Sequence, residues 1–274
     1  MISRGLTRLA LLAGLRRWLL LDEARCPGCG LVVQAGPGWQ SCLCPDCRLA
    51  LALAPQEAAA CPGCGQLSSE QSDGGQSAVW QSAGGQAGVS PAPPALCAAC
   101  QDSPRPWGRL VFFGAYEGRL RDLILAYKFK GRLGLGRQLQ ECLAVAFERQ
   151  AAMFPELGAC ELVVPVPLHV RRLAWRGYNQ SSELARLLAR RRGLPLRQEA
   201  LSRVRRTVPQ MELGRSERAE NIRGAFAANP EILAGRTALL VDDIMTTGST
   251  LEECSRMMRA AGAAQVHVLV LARA

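Results

Sequence analysis

A small zinc-ribbon domain followed by an α/β domain, a parallel sheet flanked by helices, is the architecture this sequence predicts, and three observations predict it. Eight cysteines form four Cys-x-x-Cys pairs before residue 101. After residue 106, short apolar runs without alternation, such as Val163-Val164 and Leu239-Leu240-Val241, are interleaved with stretches whose apolar residues recur every three or four positions. One of those runs ends in Asp242-Asp243 and a turn rich in hydroxyls and glycine. Non-alternating apolar runs suit strands buried on both faces of a parallel sheet, and the longer period suits the helices that cover it.

Length and charge agree with two folded units. A chain of 274 residues exceeds one minimal core and falls short of three. Residues 1–100 carry six Lys/Arg and six Asp/Glu, so the whole formal excess of +10 lies in residues 101–274. A basic half of this kind suits a polyanionic ligand, either a small pyrophosphate ester or a nucleic-acid backbone.

The first 25 residues are apolar but interrupted by Arg4, Arg8, Arg16 and Arg17, and the uncharged run Leu9–Leu15 is too short to span a bilayer. No small-residue cleavage site follows, so an amphipathic helix is expected over 1–25, with no transmembrane segment and a cytoplasmic location.

Residues 26–105 contain few bulky apolar side chains and need a staple. Cys26/Cys29, Cys44/Cys47, Cys61/Cys64 and Cys97/Cys100 supply it: four thiolates close one tetrahedral zinc site, so four pairs make two structural Zn²⁺ sites. Two pairs sit in Cys-Pro-Gly-Cys-Gly turns that aim both sulfurs at one ion. Sequential pairing, first with second and third with fourth, is favoured over a crossed arrangement. Cys42 is a rival ligand with poorer spacing than Cys44. A disulfide framework is the competing reading, and a reducing compartment disfavours it. The Gly-, Ser-, Gln- and Pro-rich stretch 66–95 is expected to be a disordered insert. Cys142, Cys160 and Cys254 stand alone in apolar surroundings and read as small core residues.

From 106 to 274 the α/β pattern takes over. Leu110–Tyr116 reads as a strand, Leu120–Phe129 and Leu133–Phe147 as helices, and Leu162–Val164 as a buried strand. Leu184, Leu187 and Leu188 give the next helix its core stripe, and Val266–Leu271 is a late strand in which His267 reads as a satisfied core or edge histidine. The strand Leu239–Val241 delivers Asp242 and Asp243 to a carboxyl end, where open α/β sheets bind ligands. Thr246, Thr247, Gly248, Ser249 and Thr250 then open a helix with Leu251, Cys254, Met258 and Ala261 on one face. Backbone N–H groups at such a helix start suit a phosphate, and Gly248 permits close approach.

An apolar run, two acids, two threonines, Gly, a small residue and Thr resembles the phosphoribosyl-pyrophosphate signature of type I phosphoribosyltransferases. Val163-Val-Pro-Val-Pro-Leu-His-Val-Arg-Arg-Leu-Ala-Trp-Arg-Gly-Tyr-Asn-Gln180, together with Arg206-Thr-Val-Pro-Gln210, Arg218, Asn221 and Gly224-Ala-Phe226, is similar to the ComF family of competence-associated proteins with a zinc-binding front end. That resemblance implies a type I phosphoribosyltransferase-like domain in which Asp242 and Asp243 are the catalytic acids holding the ribose hydroxyls, and 246–250 binds the 5′-phosphate. Pro165, Val166, Pro167, Leu168, His169, Arg171 and Arg172 would form the pyrophosphate loop. Arg206, Gln210, Arg218 and Asn221 would belong to a flexible loop that closes over the site. Phosphoribosyl pyrophosphate or a similar phosphorylated ribose with Mg²⁺ is the implied ligand. The implied setting is DNA uptake, with an unassigned acceptor if transfer occurs. The alternative is a non-catalytic factor that binds single-stranded DNA or DNA-uptake proteins and keeps the fold.

Overall fold

The computed structural model describes residues 23–26, 29–34, 43–52, 60–66, 95–129, 133–205, 207 and 215–274. Residues 1–22 of the helix expected over 1–25, Cys42 and nearly all of the 66–95 insert lie outside them, and Glu23–Arg25, the end of that expected helix, form a strand instead, paired antiparallel with Val32–Gln34.

A four-stranded, wholly parallel sheet organises residues 106–274. Its strands are β3 (Leu110–Ala115), β4 (Leu162–Pro165), β7 (Thr237–Met245) and β8 (Gln265–Arg273), in the order β3-β8-β7-β4. Alternate side chains divide between two cores. Val111, Phe113, Val163, Leu239, Val241, Leu269 and Leu271 face one side, and Leu110, Phe112, Leu162, Val164, Leu240, Val268 and Val270 the other. With both faces covered, neither can be polar, so the strands read as unbroken apolar runs.

The first face carries α3 (Gly118–Phe129), α4 (Gly136–Met153) and α7 (Gln180–Arg192), the last of which buries Leu184 and Leu188. Phe147 and Leu143 of α4 are fully buried, and truncating either to Ala would cost about 2–5 kcal/mol. The second face carries α10 (Ser249–Ala260), through Leu251, Cys254 and Met258. The helix after β4 therefore covers one face and the helix after β7 the other. Adjacent strands whose crossovers part in this way leave a crevice at their carboxyl ends, the usual ligand site of an open sheet.

Around this frame lie the hairpin β1 (Glu23–Arg25)/β2 (Val32–Gln34), α1 (Pro45–Ala52), α2 (Ala98–Asp102), α5 (Pro155–Gly158), α6 (Val170–Arg176), β5 (Leu201–Arg203), α8 (Arg215–Ile222), β6 (Phe226–Ala228) and α9 (Pro230–Leu233). β5 and β6 pair antiparallel, and they bracket the polar segment that holds the four residues expected in a flexible loop. Its polar composition hides the short strands because their stability comes from cross-strand pairing, with Phe226 buried between them and the core. β7 also runs on to Met245 instead of stopping at Val241, since β8 continues beside it to Arg273.

Cys142, Cys160 and Cys254 are buried, as expected. His267 is 1 % exposed, but neither ring nitrogen has a hydrogen-bond partner, so it is a core histidine without the satisfaction expected of it. No helix among the described residues is long and apolar enough to cross a membrane.

Candidate functional site

Asp242 and Asp243 lie in the last half of β7, both half-buried. Asp242 Oδ1 accepts from Ser181 Oγ at 2.7 Å and from the backbone N–H of Asp243 at 2.9 Å. Ser181 reaches it from the first turn of α7, whose start is capped by Asn179. Burial, and then the neighbouring Asp243 charge, push the Asp242 carboxyl up to about 7, and these two hydrogen bonds pull against that rise. Asp243 Oδ2 pairs with Lys128 Nζ at 2.8 Å, at the end of α3. The crevice thus holds two carboxylates in unlike states, one tied to an ammonium and one poised between charged and neutral near pH 7.

The turn after β7 is held by its own side chains. Thr247 Oγ1 and Ser249 Oγ share a hydrogen bond of 2.9 Å, and Ser249 N–H reaches Thr247 Oγ1 at 3.5 Å. Gly248 has φ +85°, the left-handed conformation that side chains resist, and a Cβ there would lie 3.0 Å from Met245 Cε. It occupies the cap of α10 without a side-chain capping oxygen, while its carbonyl accepts from Glu252 N–H at 2.8 Å. Thr246 is exposed and Thr250 half-buried. Such a turn presents the early N–H groups of a twelve-residue helix to whatever occupies the crevice.

Pro165, Val166, Pro167, Leu168 and His169 leave β4 on the neighbouring side. Val166 N–H bonds to Val241 O at 2.9 Å, and its carbonyl accepts from Asn179 Nδ2 at 3.0 Å, so the loop is pinned at Val166, where it leaves the strand. His169 caps α6, accepting the Arg171 N–H on Nδ1 at 3.3 Å. Arg171 is exposed, and Arg172 follows it on the same short helix.

Of the four residues expected in a flexible loop, Arg206 and Gln210 lie outside the described residues. Arg218 and Asn221 are carried by α8, where the Asn221 carbonyl accepts from Arg205 Nη2 at 2.9 Å. The far end of the segment is tied down by the buried Glu253 of α10, which accepts the Gly224 N–H at 2.6 Å.

A cleft of about 650 Å³ opens nearby between α3, α4 and α7, lined by Tyr127, Arg137, Gln140, Tyr178, Glu183 and Arg190 among others. It contains neither acid; charge and hydrogen bonds converge instead on Asp242 and Asp243. Sequence reading missed Ser181 and Lys128 because each meets its aspartate across more than 60 residues of chain and belongs to no local motif.

The cysteines assemble in sequential order, Cys26, Cys29, Cys44 and Cys47 in one group and Cys61, Cys64, Cys97 and Cys100 in the other. Within each group all the sulfurs lie within 4.8 Å of one another, and Cys29–Cys44 and Cys64–Cys97 are 3.5 and 3.6 Å apart. Tetrahedral zinc with Zn–S bonds of about 2.3 Å places sulfurs about 3.8 Å apart, so both groups fit such an ion. The N–H groups of Cys44 and Cys97 point at Cys26 Sγ and Cys61 Sγ, each at 3.3 Å, as thiolate ligands require.

A parallel sheet with an acid pair and a glycine-capped helix at its crevice, joined to two four-cysteine groups, defines a phosphoribosyltransferase-type protein with a zinc-ribbon front end. Residues 168–274 match the phosphoribosyl transferase domain model. The chain is 35% identical over 180 residues to Competence protein F of Haemophilus influenzae, covering 65% of this chain and 78% of that one. It is 35% identical over 177 residues to DNA utilization protein YhgH of Escherichia coli K12, covering 65% and 77%, and 34% identical over 193 residues to the Salmonella typhimurium protein of that name, covering 69% and 82%. The chain belongs to the ComF family.

Proposed function

We propose that this protein binds phosphoribosyl pyrophosphate with Mg²⁺ at the crevice between β4 and β7, and serves the handling of DNA taken up during natural transformation. Asp242 and Asp243 accept from the ribose hydroxyls and face the metal. The N–H groups of 246–250 hold the 5′-phosphate, and the 165–172 loop with Arg171 and Arg172 takes the pyrophosphate. Arg206, Gln210, Arg218 and Asn221 belong to the segment that covers the ligand and keeps bulk water from C1.

The observation that carries this reading is the half-buried acid pair directly ahead of a left-handed Gly248 at a helix start. Burial makes carboxylates costly unless a cation or donors meet them, and the vicinal hydroxyls of a pentose with a divalent ion supply both. The DNA-related names of the relatives support the setting. A second reading, a nucleic-acid-binding factor that uses the fold without transfer, is favoured by the concentration of all +10 net charges in residues 101–274.

Calorimetry decides between them. Phosphoribosyl pyrophosphate with Mg²⁺ should bind the natural protein and fail to bind Asp242→Asn/Asp243→Asn. Absence of binding to the natural protein at millimolar ligand removes the pentose reading. Single-stranded DNA affinity that falls steeply with salt in the double variant supports the second.

A further inference from the structure

The Cys-Pro-Gly-Cys turn of the second cysteine group is hydrogen-bonded into the α/β layer at three consecutive carbonyls. Pro62 O accepts from the backbone N–H of Leu110 at 2.7 Å, where β3 begins. Gly63 O accepts from Trp107 Nε1 at 2.8 Å, and Cys64 O from Arg273 Nε at 3.3 Å, where β8 ends. Cys61 and Cys64, both members of the four-sulfur group, bracket this turn. The turn is closely packed: a Cβ on Gly63 would lie 3.0 Å from Cys100 Sγ, and one on Gly65 3.0 Å from Phe112 Cε1.

The other end of this linkage is the turn after β7. Trp107 is buried and packs in the same core as Met245, and its ring edge lies 3.7 Å from the Cβ position of Gly248. Arg105 Nη1 lies 3.8 Å from that position, its guanidinium is 5.8 Å from the Trp107 ring centroid, and it pairs with Glu252 in the first turn of α10. Glu252 would otherwise set a bare negative charge beside a helix start that receives an anion; Arg105 cancels it. One short stretch, 105–107, thus connects a four-cysteine group to the Gly248 turn through a buried indole.

Resting on the proposed reading of 246–250 as the 5′-phosphate turn, we propose that the Cys61/Cys64/Cys97/Cys100 group is a metal-dependent brace for that turn, with Trp107 and Arg105 as its positioning residues. Metal occupancy and affinity for a phosphorylated pentose are then coupled. Thiolates drawn onto one ion hold Gly63 O where Trp107 needs it, Trp107 backs Gly248, and the donors keep the geometry that a phosphate requires. Losing the metal to a chelator releases the turn without touching either aspartate. Coupling of this kind is reciprocal: a phosphate on the turn must also slow loss of the metal.

Two probes separate this brace from a general loss of stability. Ribose 5-phosphate requires the turn; magnesium pyrophosphate requires only the 165–172 loop and the metal. In calorimetry on the zinc-loaded full chain, Arg105→Ala and Trp107→Phe should weaken ribose 5-phosphate by about tenfold, a typical coupling magnitude, and leave magnesium pyrophosphate within twofold. Arg105→Lys should recover part of the loss. In a chelator competition followed by a colorimetric zinc indicator, saturating ribose 5-phosphate should slow release of one of the two zinc equivalents in the natural protein and have no such effect in Trp107→Phe. Unchanged ribose 5-phosphate affinity in both variants, or zinc release indifferent to the ligand, overturns the brace while the pocket stands. Equal weakening of both probes overturns it as well, since that marks a general defect. A natural protein that binds neither probe removes the pocket reading, and the brace with it.

Discussion

Asp242 is a carboxyl whose surroundings favour the neutral form. Burial and the Asp243 charge raise it to about 7, whereas a metal-facing or hydroxyl-accepting role needs it ionised. Affinity for phosphoribosyl pyrophosphate with Mg²⁺ should therefore rise about tenfold from pH 6 to pH 8, and a flat calorimetric profile across that range would contradict the assignment. The sign for stability is opposite. A folded-state value above the unfolded one means the native state binds the extra proton, so this carboxyl costs stability as pH rises through 7. Asp242→Asn should thus stabilise the ligand-free protein at pH 8 by on the order of 1 kcal/mol, read as a higher melting temperature, while removing binding. His267 works the other way. Burial depresses its imidazole, with no partner for either nitrogen, so the stability it permits is present above the unfolded value and lost as pH falls below about 6.5. Urea titrations at pH 7.5 and pH 5 should show a smaller drop in His267→Leu than in the natural protein. Both aspartates were legible in the sequence as an acid pair, but their unequal states were not, because Ser181 and Lys128 arrive from distant helices.

Among elements, the strand–turn–helix of β7 and α10 is the most fully specified by local sequence. Apolar residues set β7, the left-handed Gly248 ends it, and the Leu251/Cys254/Met258 stripe docks the helix. Gly248→Ala forces an unfavourable φ, worth about 1–2 kcal/mol, and drives a methyl against Met245 Cε. The end of that flexible side chain can shift, so the protein should fold with a lower melting temperature and bind ribose 5-phosphate more weakly. Retention of full affinity would show that the turn does not need its present shape. The β5/β6 pair is the contrary case. Leu201-Ser-Arg203 and Phe226-Ala-Ala228 have too few residues for a pattern, and their pairing depends on α8 and α10 closing the chain between and beneath them.

At the scale of the whole molecule, the two cysteine groups are unequal in their attachments. The first joins the core beside α3 and α4 through Cys26, Leu43, Cys44, Cys47 and Leu51. The second forms its own small cluster and meets the sheet through the backbone of its Cys-Pro-Gly-Cys turn. Metal analysis of the natural protein should give two zinc equivalents, and Cys97→Ser/Cys100→Ser one. A structural zinc contributes on the order of 10 kcal/mol to folding, so chelation should abolish the cooperative thermal transition of the front half before that of the α/β layer. A single equivalent in the natural protein would mean that the group divided by the long insert is not a site.

The sequence by itself determined what depends on neighbours in the chain: the Cys-x-x-Cys pairs, the buried strands, the acid pair and the glycine turn behind it. These are legible because spacing and burial period are one-dimensional properties. Only the tertiary structure decided which helix covers which face, and so where the crevice opens, which ammonium meets Asp243, and that a cysteine turn at 61–64 is wired through Trp107 to a turn at 248. Those contacts arise from closing a sheet over two cores, and no local pattern encodes a partner more than a hundred residues away.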